Sequence, residues 1–596
     1  MTSNAVPPEI HVERLAAVRA ILDRENLAGL LVPRADEHLG EYVPPGAERL
    51  AWLTGFTGSA GLAVVLRARA AVFADGRYTL QLAEQADPAL FEHHHLIEEP
   101  PAIWLAAAAP GARIGYSPWL HSEDGLRPYA EAGVNLVPLA TNPVDEAWPD
   151  RPAPPRSPAV PHALAYAGRS SAEKRADIAQ ALRKAGQDAA VLTDPASLAW
   201  LLNIRGNDVP YTPLALGFAL VHADGRVALF MDPAKLGSET RAWLGNEVEA
   251  QDPAALPAAL AALKGRRVRV DPAGSPAWFA QTLRAASAEP VPGTDPCLLP
   301  KGAKNPAEQD GARAAHLRDA VALCRFLHWL DDAPGRETEM TAAARLLAFR
   351  AEQTLFQGES FPAISGAGEH GAIIHYRVTP ETDRPIRANE VYLIDSGAQY
   401  LDGTTDVTRT VWTGPGTPPD TLRERFTRVL QGHIALATLR FPEGVSGPHL
   451  EAFARRALWH VGLDYDHGTG HGVGSYLSVH EGPASLSRAG RVVPLAPGMI
   501  LSDEPGYYEP GAYGIRLENL LLVQAAEGLG ARKPFLRFET LTLAPFDRRL
   551  IEPALLSAAE RAWLDAYHAR VLDEVGPKLD AQTRAWLDDT CRPVSG

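Results

Sequence analysis

One pattern constrains this chain more than any other: the same series of segments is written twice, on either side of a proline-rich break. The break is WPDRPAPPRSPAVPHA, residues 148–163, with prolines at 149, 152, 154, 155, 158 and 161. Proline lacks an N–H and fixes φ, so no helix or central strand can hold this stretch, which is predicted to run extended as a linker. Before it, the amphipathic HVERLAAVRAILDREN leads to an apolar GLLV, then to RLAWLTGF, LAVVL and AVFADGRY. After it, SSAEKRADIAQALRKAG leads to DAAVLT, SLAWLLNI, LGFALV and HADGRVALF. Leu50-Ala51-Trp52-Leu53 recurs as Leu198-Ala199-Trp200-Leu201, and Ala74-Asp75-Gly76-Arg77 as Ala223-Asp224-Gly225-Arg226. Equal word order at a nearly constant offset predicts a tandem duplication of one α/β domain. The second copy opens on a capping-box spacing, Ser170 with Glu173.

The 596 residues leave room for more. A third region starts near residue 303 with two helical patterns, NPAEQDGARAAHLRDAVALCRFLHWLDD and ETEMTAAARLLAFRAEQTLF. From residue 389 to 545 the pattern changes to short strands, with helices near 419–440 and 446–461. ERAWLDAYHARVLDEVGPKLDAQTRAWLDD closes the chain as two helices. The expected division is 1–150, 162–302, 303–545 and 546–596, an α/β and α+β multidomain protein.

Composition narrows the function. Hydrophobic residues at 46% and charged residues at 22% exclude a disordered chain. A net charge of -15 repels phosphate backbones, so nucleic acid is excluded as a partner. No run of about 18 apolar residues occurs, so no membrane span is expected. MTSNAVPPEIHVERL places prolines and charges where a signal peptide has an apolar core. The 3 cysteines, Cys297, Cys324 and Cys591, form no C-x-x-C pair, which argues against a disulfide scaffold or thiolate zinc site and suits the cytoplasm. His93-His94-His95 is read as a solvated surface feature.

The chemistry lies in three stretches. In EVYLIDSGAQYLDGTTDVTRTVWTG, an apolar strand ends in Asp395 and another begins at Asp406. A loop centred on Tyr400 and Leu401 would set the two carboxylates opposite each other, about 5 Å apart. A tight Asp402-Gly403 turn would give another register, and the sequence leaves both open. Like charges so placed are destabilising unless a cation lies between them. In MILSDEPGYYEPGAYGIRLENLLLV, a loop centred on Gly511 sets Glu504 opposite Glu518, with Pro510-Gly511 as the turn signal. Between these hairpins, HGTGHGVGSYLSVHEGP brings His467, His471 and His480 among glycines that leave the backbone open to close approach. Four carboxylates and an imidazole form a hard, oxygen-rich set that suits Mn²⁺. With bridging carboxylates it suits two ions about 3.5–4 Å apart holding a hydroxide.

These motifs resemble the active site of the aminopeptidase P group of pita-bread metallopeptidases. LTGFTGSAG, ADGRY and LNIRGNDVPYTP resemble the two creatinase-like α/β domains that precede the catalytic domain in its long form, and YHARVLDEVGPKL resembles that form's C-terminal extension. The resemblance implies two divalent metals, Mn²⁺ first, with Zn²⁺ or Co²⁺ as alternatives. Asp395 would hold one metal, Asp406 and Glu518 would bridge both, and His471 and Glu504 would complete the second. Glu504 would also act as general base, His480 as proton shuttle, and His375 and His467 as substrate contacts. Arg516 and Tyr508 would steady Asp395. No position of the pattern departs from the family.

The implied reaction is hydrolysis of the first peptide bond of peptides with proline second, by a homodimer joined through the catalytic domain. An X-Pro dipeptidase shares the motifs but usually carries a single front domain. Creatine amidinohydrolase lacks the ligands, methionine aminopeptidase is much shorter, and binding modules such as the histone-chaperone domain typically lose the ligand set.

Overall fold

The computed structural model describes residues 8–528, 530 and 532–594. The first seven residues, on which part of the leader reading rests, lie outside the described residues. The chain forms two compact units, one of residues 1–164 and 169–298, the other of residues 165–168 and 299–596.

In the first unit the duplication is a duplication of topology. Each copy is a mixed six-stranded sheet whose strands, numbered within the copy, lie in the order 4-3-2-1-5-6. In the first copy these are Glu92–His95, Ala70–Ala74, Gly61–Leu66, Gly29–Pro33, Arg113–Tyr116 and Asn135–Pro138. In the second they are Val248–Gln251, Val227–Phe230, Phe218–His222, Ala189–Leu192, Arg267–Val270 and Glu289–Pro292. The first three strands of each pair antiparallel, and the outer two partnerships and the 1–5 pair are parallel. Side chains alternate across the sheet, as a pleated strand demands. Leu30 and Val32 join Leu15, Val18 and Leu22 of helix Pro8–Arg24 on one face. Leu31 joins Leu105 and Ile114 on the other. Trp119 and Trp278 stack at 4.0 Å and join the copies within the unit.

The Leu-Ala-Trp-Leu words occupy equivalent helices, Arg49–Thr54 and Pro195–Leu202, each between strands 1 and 2 of its copy. The Ala-Asp-Gly-Arg words do not correspond. Residues 74–77 follow strand 3 of the first copy, whereas 223–226 form the turn between strands 2 and 3 of the second. Asp-Gly serves any tight turn, so this match marks local turn chemistry rather than descent. Ser170 and Glu173 form the expected capping box, and residues 151–158 run without helix or strand. The histidine triplet is an edge strand rather than a solvated feature: all three rings are half-buried, with His94 stacked 5.1 Å from Phe73 and in contact with Glu99.

The second unit pairs helices with sheets twice. Helices Pro306–Leu330 and Glu339–Ala351 pack through Phe326, Leu327 and Leu346 on Tyr392, Ile394 and Val411. Those residues belong to the sheet of Ile364–Ala367, Glu390–Ser396 and Val407–Thr413. Helices Asp420–Ala437 and Gly447–Trp459 pack through Leu436, Leu450 and Ala454 on Leu501, Leu521 and Leu536 of a four-stranded sheet. The closing helices are Ala558–Val575 and Ala581–Thr590. Among the described residues no helix is long and apolar enough to cross a membrane, and all three cysteines are free and buried.

Candidate metal centre

Strand Glu390–Ser396 delivers Asp395, and its neighbour Val407–Thr413 is entered through Asp406. The register sets Asp395 opposite Thr408, and Tyr400 opposite Gly403 about a two-residue turn, Leu401-Asp402. Neither turn read from the sequence forms. Asp406 is therefore a diagonal neighbour of Asp395 rather than its direct opposite, on the same face, since strand periodicity is two. Asp402 at the turn pairs with Arg318 of the long helix, and a Cβ on Gly403 would meet Ala315 Cβ at 3.0 Å. Helix packing thus fixes the turn.

The second hairpin follows its expected register. Tyr508 pairs with Gly514 and Gly506 with Arg516 in one ribbon, and Asp503 with Asn519 in the adjoining sheet. Each pair is equidistant from Gly511, which takes φ +70° at the tip. Glu504 and Glu518 sit opposite each other where the ladder breaks between ribbon and sheet. Glu504 is held by its N–H on the Thr469 carbonyl at 2.8 Å, and Glu518 by its N–H on the Thr408 carbonyl at 3.2 Å.

Asp406, His471 and Glu518 place ligand atoms within 4.8 Å of one another. His471 Nε2 lies 3.5 Å from both Asp406 Oδ2 and Glu504 Oε1. Its Nδ1 faces the Gly472 carbonyl at 3.0 Å, a contact that directs the Nε2 lone pair to the carboxylates. Arg516 donates from Nη2 to Asp395 Oδ2 at 2.7 Å, from Nη1 to the Tyr508 hydroxyl at 2.7 Å, and from Nε to Thr408 Oγ1 at 3.3 Å. The Tyr508 hydroxyl stands 2.9 Å from His467 Nε2. His480 presents its ring edge-on to His471, with centroids 4.3 Å apart. His375 lies in the half-buried turn after Gly368–Ala372, which reaches strand Tyr513–Arg516 through close approach of Gly371 to Gly514.

The carboxylates crowd one another. Burial and the Asp406 charge raise Asp395 against the pull of Arg516. Burial and the charges of Asp406, Glu504 and Asp395 raise Glu518 well above the ordinary range. Burial, opposed by His471, pushes Glu504 up to about 7. His471 is raised to about 9 because its carboxylate neighbours outweigh burial. A cluster in which buried anions raise one another calls for positive charge. Asp395 Oδ1 is buried with no hydrogen-bond partner, an open acceptor on the same carboxylate that Arg516 grips. The donor set and this orphaned oxygen fit hard divalent cations.

Three supporting side chains escaped the sequence reading. Thr408 Oγ1 donates to Glu518 Oε2 at 2.8 Å, and Ser502 Oγ donates to Glu504 Oε1 at 3.1 Å while accepting the His471 N–H at 2.9 Å. Arg409, 1% exposed, donates from Nη1 to the Glu518 carbonyl at 2.6 Å. The alternation Asp406, Thr408, Thr410 was the available signal: three polar residues on one face of a wholly buried strand.

Residues 310–525 match the model of metallopeptidase family M24, and residues 534–594 that of the C-terminal region of peptidase M24. Residues 14–144 and 150–308 each match the creatinase/prolidase N-terminal domain. The chain is 39% identical to aminopeptidase P2 of Arabidopsis thaliana, over 98% of this chain and 88% of the relative. It is 39% identical to a probable Xaa-Pro aminopeptidase P of Neosartorya fischeri, over 98% and 93%. The X-prolyl aminopeptidase of Caenorhabditis elegans, described as a cytosolic enzyme with a di-nuclear active site, is similar with a TM-score of 0.92. Its identity is 33%, and the match covers 98% of this chain and 99% of that one. A prolidase from Thermococcus sibiricus shares the fold at a TM-score of 0.52 and 21% identity, over 63% of this chain.

Proposed function

From a chain that belongs to metallopeptidase family M24, we infer a metal-dependent Xaa-Pro aminopeptidase, which hydrolyses the first peptide bond of peptides with proline second. The observation that carries the reading is the set of buried Asp395, Asp406 and Glu518 with half-buried His471 and Glu504, in a chain alike over its whole length to relatives of that activity. Asp395, Asp406, His471, Glu504 and Glu518 would together hold two divalent metals. Mn²⁺ suits this oxygen-rich set, with Zn²⁺ or Co²⁺ as alternatives. The metals would supply a water acidified to near neutrality and a polarised scissile carbonyl.

The chain's own groups do the rest. Glu504 takes the proton of the attacking water at its carboxylate, with Ser502 Oγ fixing Oε1. His480, exposed beside His471, donates to the tetrahedral oxygen or to the leaving nitrogen. That nitrogen belongs to proline, which has no N–H and a fixed φ, so a site shaped to the ring selects it. Tyr508 and Arg516 hold His467 and Asp395 in register with each other, and His467 and His375 contact the substrate. The chain divides functionally at 1–150, 162–302, 303–545 and 546–596.

Three buried free cysteines and a relative described as cytosolic support a cytoplasmic location. A homodimer through the catalytic unit is inferred from the likeness to the long-form aminopeptidases alone. The test is hydrolysis of Arg-Pro-Pro, Arg-Pro and Arg-Ala-Ala after chelation and Mn²⁺ add-back. Metal-dependent arginine release from the tripeptide alone is expected. Cleavage of Arg-Pro alone would make the chain a dipeptidase, and no cleavage by metal-loaded protein would overturn the peptidase reading.

A further inference from the structure

The residue after His480 sits in a buried ion pair that the reaction described above does not use. Glu481 is 4% exposed. Its Oε1 receives Lys304 Nζ at 2.5 Å, and its Oε2 faces Lys301 Nζ at 3.3 Å. Both lysines are as deeply buried as the carboxylate. Lys301 lies in the short helix Leu298–Gly302, and Lys304 directly precedes Asn305, the cap of helix Pro306–Leu330. Two cations from the opening segment of the second unit therefore meet one anion beside His480.

His480 needs such an anchor, because it belongs to no helix or strand. It is exposed, while Val479 and Glu481 on either side are buried. The Glu481 N–H donates to the Gly472 carbonyl at 2.8 Å, and the Gly472 N–H to the Ala484 carbonyl at 3.0 Å. A Cβ at Gly472 would collide with the Glu481 carbonyl, and a Cβ at Gly302 would meet the Pro483 ring at 3.2 Å. The loop is thus bound on one side to the backbone next to His471, and on the other to the lysine segment. For holding a loop down, apolar contacts would serve at lower desolvation cost than three buried charges. What a short charge-assisted contact adds is direction.

We propose that Lys301 and Lys304 are positioning residues, which clamp Glu481 and so fix the His480 ring beside His471 at the carboxylate centre. The proposal rests on the aminopeptidase reading for what His480 does, and on the chain's geometry alone for the clamp. The test uses the full-length metal-loaded protein carrying Lys304→Met, the isosteric Glu481→Gln, or the conservative Lys304→Arg. Measured are kcat, KM on Arg-Pro-Pro and bound metal in the Mn²⁺-loaded protein, and, in the same proteins loaded with diamagnetic Zn²⁺, the Cε1–H resonance of His480, assigned by its loss in His480→Gln. For Lys304→Met and Glu481→Gln, kcat is expected to fall about tenfold or more while KM stays within about twofold. Bound metal should be unchanged, the resonance should shift or broaden, and Lys304→Arg should restore most of both signals.

Unchanged kcat and resonance in a folded variant would overturn the clamp, as would a fall in kcat matched by loss of metal, which would place its effect on His471. Should Lys304→Met fail to fold, Glu481→Gln carries the test. If the unmodified protein releases no arginine, the aminopeptidase reading falls, and the resonance alone decides the clamp: a shift supports it, and no shift overturns it.

Discussion

Arg516 Nη2 meets Asp395 Oδ2 at 2.7 Å, with the guanidinium 2% exposed. The same fork holds the Tyr508 hydroxyl and Thr408 Oγ1, so one planar cation joins the two hairpins that carry the carboxylates.

Lysine cannot reproduce that fork. Arg516→Lys is expected to keep the fold and lose about 10–100-fold in activity or metal affinity, the usual effect of disturbing a partner of a metal ligand. Metal titration followed by initial rates on Arg-Pro-Pro checks this, and wild-type affinity and rate together would refute it.

Tyr508→Phe removes the hydroxyl that accepts from Arg516 and stands against His467 Nε2. A lost hydrogen bond to a charged donor costs about 1.5–3 kcal/mol, here reduced because the site is partly open to water. The expected result is a lower kcat/KM with bound metal retained, read by kinetics and metal analysis on one preparation.

Glu339 is fully buried and receives the Ala367 N–H at 2.7 Å, faces His370 Nδ1 at 2.9 Å, and receives the Tyr376 hydroxyl at 3.1 Å. It thereby orders the turn that carries His375. Glu339→Gln replaces one acceptor oxygen with a donor. KM for Arg-Pro-Pro is expected to rise several-fold while metal binding is unaffected; an unchanged KM would detach His375 from substrate binding.

His568 is fully buried, and burial together with Arg409 and Arg548 lowers its pKa from 6.5 to about 3. Its Nε2 accepts the Phe546 N–H at 3.1 Å. The unfolded chain gains a proton below pH 6.5 that the folded chain refuses, so stability falls as pH drops toward 3. Between pH 6.5 and pH 4.5 this one ring accounts for about 2–3 kcal/mol. His568→Gln keeps an acceptor and cannot titrate. Denaturant midpoints across that range should fall less steeply for the variant, and parallel curves would contradict the assignment.

How much could be read beforehand depended on where each contact is decided. The Glu504–Glu518 pairing was legible because Pro510-Gly511 is a strong local turn signal and the strands on both sides keep one register. The Asp395–Asp406 pairing was not, because its turn, Leu401-Asp402, carries no such signal and is set by Arg318 and by the packing of Gly403 on Ala315. The duplicated fold was legible from the order of its segments, although one of the two repeated words proved non-equivalent. The contact of Lys304 with Glu481 spans 177 residues and leaves no trace in either local pattern.

The Gly511 hairpin works as a phase-setter. Ribbon and sheet keep step through the break at Glu504 and Glu518, so the count of residues at the exposed tip decides which side chains share a face. Removing or adding a single tip residue would throw the two glutamates to opposite faces unless a bulge absorbed the change, whereas a change of two preserves the alternation. A surface loop that touches no ligand atom thus holds the parity of the buried centre. Length variation there should come in even steps, a pattern open to inspection by tip insertions of one and two glycines.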